Sequence, residues 1–76
     1  MARVARFVRS KGSAGAAQPT EVDCQWRVFE IGGDRIVQLD TFGSKARANP
    51  GKQSQTLQLD RRSGMELIAI LQNAFR

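Results

Sequence analysis

The chain has 76 residues, carries 12 Lys and Arg against 7 Asp and Glu, and contains one Cys and no His. That length allows one small domain, which buries only about 60% of its unfolded surface and gains from a partner. One Cys excludes an intrachain disulfide, and the missing His removes the ordinary Ser-His and Cys-His nucleophile pairs and leaves no zinc cluster.

The net charge of +5 is unevenly placed. Residues 1–20 hold Arg3, Arg6, Arg9 and Lys11 and no acid, whereas residues 21–76 hold eight cations against seven anions. Localised positive charge fits a phosphate-bearing partner better than uniform basicity would. Met1 to Ser10 is broken by arginines, unlike the apolar centre of a secretory signal, and the run Leu67 to Leu71 is far too short to span a bilayer. The expectation is a soluble, cytoplasmic protein without a membrane partner.

Ala2 to Arg9 fits two periods. As a helix, Val4, Phe7 and Val8 form one stripe; as a strand, arginines fall on both faces. Charges on both faces suit an edge strand, because they discourage open-ended pairing. Ser10 to Thr20 is rich in Gly, Ala and Ser and reads as a flexible linker. Glu21 to Ile31 is the next strand, with Cys24, Trp26 and Val28 on one face and Gln25, Arg27, Phe29 and Ile31 on the other. Cys24 and Trp26 are expected to face the core.

Gly32-Gly33-Asp34 is a turn whose glycines supply positive φ, and Arg35 to Phe42 returns as a strand. Gly43 to Lys52 is a loop holding Lys45, Arg47 and Lys52 with no acid, its backbone set by Gly43, Pro50 and Gly51. Gln53 to Leu59 alternates again, with Gln53, Gln55, Leu57 and Leu59 on one face. Ser54, Thr56 and Gln58 form an uncharged row on the other, either a solvent face or a hydrogen-bonding surface. Asp40 and Asp60 both end strands and could meet if those strands pair.

Ser63-Gly64-Met65-Glu66 fits a capping box with Ser63 as N-cap and Glu66 reaching back, although the helix could also start at Asp60. Leu67, Ile68, Leu71, Ala74 and Phe75 then follow helical spacing, and Ile70 widens the apolar arc. The extra width suits a dimer contact.

Catalysis is poorly supplied, since the acids are scattered, and Gly32-Gly33 lacks the motif of a nucleotide-binding loop. Binding chemistry is better supplied. Arg47 can grip phosphate with two hydrogen bonds, Lys45 and Lys52 act as point charges, and an exposed Trp26, Phe29 or Phe42 could stack a base.

The run Leu39-Asp40-Thr41-Phe42-Gly43-Ser44, then Arg47, Pro50-Gly51-Lys52, Ser54-Gln55 and Gln58-Leu59-Asp60, resembles a family of small bacterial proteins. Their pattern is Leu-Asp-Thr-Tyr-Gly-Ser, Arg, Pro-Gly/Glu-Lys-x-Ser-Gln and Gln-Phe-Asp, followed by a helix. The resemblance covers about residues 22–76 and departs at Phe42, where the pattern has Tyr. Some members are labelled methionyl-tRNA formyltransferase, but 76 residues leave no room for folate and tRNA sites. The resemblance supports the loop residues as a unit and supplies no activity. At the level of fold, the order is similar to that of the single-strand-binding transcriptional coactivators, in which a short curved sheet and C-terminal helix form a dimer.

The sequence therefore predicts an α+β protein: a three- or four-stranded antiparallel β-meander followed by one C-terminal helix. Residues 1–20 form a basic arm and flexible linker, and residues 21–76 the domain. The predicted function is non-catalytic binding of DNA or RNA, mainly at the phosphate backbone, through Lys45, Arg47, Lys52, Arg3, Arg6, Arg9 and Lys11. No cofactor or metal is expected, and a homodimer is. The alternative is a protein-interaction subunit of a larger complex.

Overall fold

The computed structural model describes residues 1–43 and 53–76. The elements are β1 (Ala2–Arg3), β2 (Cys24–Ile31), β3 (Asp34–Phe42), β4 (Gln53–Leu59) and α1 (Arg61–Ala74). They build the expected α+β architecture, one four-stranded sheet in the spatial order β1-β4-β3-β2 followed by a C-terminal helix. The predicted loop cations Lys45, Arg47 and Lys52 lie outside the described residues.

The β2–β3 hairpin is closed by Gly32 and Gly33 alone, with φ of 57° and 87°. Positive φ at both central residues is the type I′ geometry whose twist matches the flanking strands. Asp34, expected in the turn, opens β3 opposite Ile31. β2 begins at Cys24 and not at Glu21, because residues 21–23 would lie opposite Phe42 and beyond, where β3 ends. The expected edge strand in Ala2–Arg9 is present but short. Ala2 and Arg3 pair in parallel with Leu57 and Gln58, and the Val4 N–H donates to the Gln58 carbonyl. Residues 10–20 are exposed and carry no helix or strand.

Cross-strand partners share a face, so register sorts the side chains. One face carries the rows Trp26–Leu39–Leu57 and Val28–Val37–Leu59; the other carries Arg27–Gln38–Gln58 and Gln25–Asp40–Thr56. α1 lies on the apolar face, where Leu67, Ile68 and Leu71 line an open groove together with Val37 and Leu59. The cover is partial. Among the described residues the buried apolar side chains are Leu59, on this face, and Ile36, which register puts on the opposite face beside Phe29, and Trp26 is 71% exposed. Trp26 and Cys24 are thus not the core residues they were expected to be, because the helix stops short of β2.

The helix starts one turn earlier than the Ser63 N-cap predicts. Asp60 is the N-cap: its carboxylate accepts the Ser63 N–H at 3.0 Å, and Ser63 Oγ accepts the Asp60 N–H at 3.1 Å. The box is therefore Asp60 with Ser63, not Ser63 with Glu66. Asp60 directly follows β4, so its extended backbone already supplies the cap conformation. Glu66 is left with one buried carboxylate oxygen unpartnered among the described residues.

These two arrangements are separable by mutation. Ser63→Ala is expected to cost about 1 kcal/mol, since it orphans the Asp60 N–H beside a buried position. Glu66→Ala should cost less than Ser63→Ala, and thermal unfolding of the two variants checks the order. A larger loss at Glu66 would restore the Ser63 cap.

Candidate nucleic-acid interface

The polar face of the sheet contains a row that crosses every strand. Arg3 pairs with Gln58, Gln58 with Gln38, and Gln38 with Arg27. Three strand spacings place the terminal arginines about 14 Å apart, with two amides between them. Register alone brings β1 of the arm into this row.

Hydrogen bonds fix the middle of the row. Gln58 Nε2 donates to Gln38 Oε1 at 3.0 Å, and Gln38 Nε2 donates to the Asp40 carboxylate at 3.1 and 3.2 Å. Asp40 also accepts from Thr56 Oγ1 at 2.7 Å, from Gln53 Nε2 at 3.1 Å and from Arg27 Nη2 at 3.4 Å. Asp40 is buried, yet both of its oxygens are satisfied. The Thr56 hydroxyl, then the Gln38 amide, hold its carboxyl below the ordinary value, and the nearby Arg27 charge adds to this against the cost of burial. Arg27 keeps its side chain 64% exposed while anchored at one nitrogen.

Gln53 joins this cluster because of an irregularity. It pairs with Phe42, while Gln55 pairs with Thr41, so Ser54 is the extra residue of a bulge. A bulge re-aims the side chains beyond it. Gln53 was expected beside Gln55, Leu57 and Leu59, and it reaches instead to Asp40 and Thr56 on the opposite face. Asp40 and Asp60 do not meet. Asp40 lies opposite Thr56, whereas Asp60 follows the far end of β4 and caps α1.

At that far end the row runs into further cations. Arg3, Arg35, Arg61 and Arg62, with the acids Glu30, Asp34 and Asp60, line a depression of about 550 Å³. The Ser63 N–H chiefly lowers the Asp60 carboxyl pKa, and Arg3 contributes through its charge. Arg61 and Arg62 occupy the first turn of α1, which holds no acid. Cations there oppose the helix dipole, at a typical cost of about 0.3–1 kcal/mol each. Two such residues weaken the helix and strengthen a positive surface.

Among the described residues, Arg3 is the one predicted site residue that the strands bring into the row. Arg6, Arg9 and Lys11 are exposed, with Arg9 near Phe7 and Ile70 on the flank of α1. Among the described residues the ion pairs are Arg27–Asp40 and Arg35–Glu30, so none of Arg3, Arg6, Arg9, Lys11, Arg61 or Arg62 lies within ion-pair distance of an acid there. Arg27, Arg61 and Arg62 were absent from the predicted site. The adjacent arginines after Asp60, with no acid to follow until Glu66, were the signal available for two of them.

Comparison with known proteins finds no matching family model, no matching curated protein and no matching solved structure. Among the described residues no group of three or more His, Cys, Asp or Glu side chains could hold a metal, and no helix is long and apolar enough to cross a membrane.

The carboxylates make stability depend on pH with a definite sign. Asp40 and Asp60 have folded-state pKa values below their unfolded value of ~3.9, so their contribution is full above that value and is lost as pH falls through the folded ones. Wild-type protein should therefore lose stability on acidification below about pH 4, and Asp40→Asn should show a shallower acid limb. Urea unfolding midpoints across an acid pH series measure both.

Proposed function

We propose that the protein binds nucleic acid without catalysis, chiefly through phosphate contacts. The observation that carries this reading is the β1–β4 pairing, which sets Arg3 in one row with Gln58, Gln38 and Arg27 and beside Arg61 and Arg62. A free basic arm would offer scattered charge; an arm stitched to the sheet offers charge at fixed spacing. Guanidinium groups at both ends of the row suit phosphate oxygens, and the exposed Arg6, Arg9 and Lys11 extend the same charge. Lys45, Arg47 and Lys52 add three further cations from the sequence.

The amides between the arginines supply polarity without charge. Gln58 uses its nitrogen on Gln38, which leaves its oxygen as an acceptor for a base edge or sugar hydroxyl. Phe29 follows Arg27 on the same face and is half-buried, so its ring can meet a base at its edge. Asp40 and Asp60 are committed to structural hydrogen bonds, which fits a binding surface and not acid–base chemistry. A second reading, an interaction subunit of a larger complex, is favoured by the bare apolar face around Trp26.

A salt-series titration with single- and double-stranded oligonucleotides tests the first reading. Each lost phosphate contact lowers the magnitude of the log–log salt slope by about 0.7 on single strands and about 0.9 on duplex. The triple variant Arg3→Gln, Arg61→Gln, Arg62→Gln should therefore flatten the slope by about two to three units. Its thermal midpoint should hold or rise, because two cations leave the helix N-terminus. Parallel Ala replacements of Lys45, Arg47 and Lys52, and of Arg6, Arg9 and Lys11, apportion the remaining slope. Absence of oligonucleotide binding at low salt would falsify the nucleic-acid reading and leave the interaction subunit.

A further inference from the structure

We infer that the apolar face of the sheet, with the adjoining side of α1, seats a second copy of this chain in a two-fold dimer. The face is a product of register: Trp26–Leu39–Leu57 and Val28–Val37–Leu59 are two complete cross-strand rows of apolar side chains. α1 covers the Val37–Leu59 end and leaves the remainder bare. Trp26 is 71% exposed, and Val28, Leu57, Met65, Ile68 and Leu71 are each between 44% and 56% exposed. Between helix and sheet an open groove of about 340 Å³ is lined by Val37, Leu59, Met65, Leu67, Ile68 and Leu71. Isolated exposed apolar residues need no explanation, but a contiguous patch of this extent marks an interaction surface.

Two observations select a second copy as the occupant. The first is size. Trp26, Val28, Leu57, Met65, Ile68 and Leu71 together expose on the order of 600 Å² per copy, approaching the roughly 800 Å² per partner of a standard stable interface. The second is the state of the core. With Ile36 and Leu59 as the fully buried apolar side chains among the described residues, the single chain lacks a closed interior. Such a chain needs an occupant present from the moment of folding, and an identical chain always meets that condition.

The strongly basic arm does not interfere. β1 is at the opposite edge of the sheet from β2, so dimerisation through Trp26 and Val28 keeps the two arms apart. Each particle then presents two positive rows on outward faces. This last consequence rests on the nucleic-acid reading, whereas the dimer itself does not.

The chain contains a single Trp, which makes Trp26 a reporter of its own burial. Light scattering on the intact chain should give twice the single-chain mass, and serial dilution should halve it. Trp26 emission should move to longer wavelength over the same range. Val28→Glu, at a half-exposed position, should remain folded by circular dichroism, give the single-chain mass, and weaken oligonucleotide binding at least tenfold while keeping the salt slope per chain. Should Val28→Glu fail to fold, the dilution series on the unmodified chain still decides. A wild-type chain that stays monomeric, with Trp26 emission independent of concentration, overturns the dimer, even if a different protein is found to bind the same face. A dimer that binds no oligonucleotide would sink the nucleic-acid reading and leave this inference standing.

Discussion

The register of the β2–β3–β4 meander is the constraint on which the rest depends. Ile31 and Asp34 are closed by two glycines at positive φ, and from that point every pair along the hairpin is determined. A slip of one residue would exchange the faces of a strand. It would put Arg27 among the leucines and Trp26 among the glutamines. The type I′ turn therefore does more than reverse the chain. It separates a polar surface able to meet charge from an apolar surface able to meet another protein.

Much of this was legible in the sequence, for a physical reason in each case. Alternation in Cys24–Ile31 and Gln53–Leu59 marks strands because side chains on a strand repeat every two residues. Helical spacing from Leu67 onward marks α1. What alternation does not reveal is whether a face is covered. Trp26 and Leu39 share a side of the sheet in any reading, but the reach of a 14-residue helix decides which of them sees solvent. The bulge at Ser54 is equally hidden, since one extra residue leaves no mark in composition while it turns Gln53 to the other face. Asp60 and Ser63 were both plausible caps. The choice depends on how directly the chain leaves β4, which is a property of the sheet. Of the candidate site, the arm was legible from its charge, but the row was not, because it needs the pairing of residues far apart in sequence.

The start of α1 shows stability and surface charge in opposition. The Asp60–Ser63 box satisfies backbone donors at the N-terminus and puts a carboxylate at the positive end of the dipole. Arg61 and Arg62 follow at once and work against that dipole. The cap offsets part of what the arginines cost, so the helix can begin at a cationic surface. Strong capping and poor charge placement in the same turn is the signature expected where a local rule yields to a surface property.

β1 carries a consequence for the order in which the molecule assembles. Pairs in the hairpin join neighbours in the chain, whereas Ala2 meets Leu57 across most of its length. Closing a long loop costs more entropy, and a two-residue ladder returns few hydrogen bonds for it. β1 is thus expected to dock after the meander has formed and to be the first segment to detach, with amides that exchange long before those of β3. Arg3 then enters and leaves the charged row with β1. The spacing of that row is a property of the closed state, and its occupancy follows the balance of a small opening reaction at the edge of the sheet.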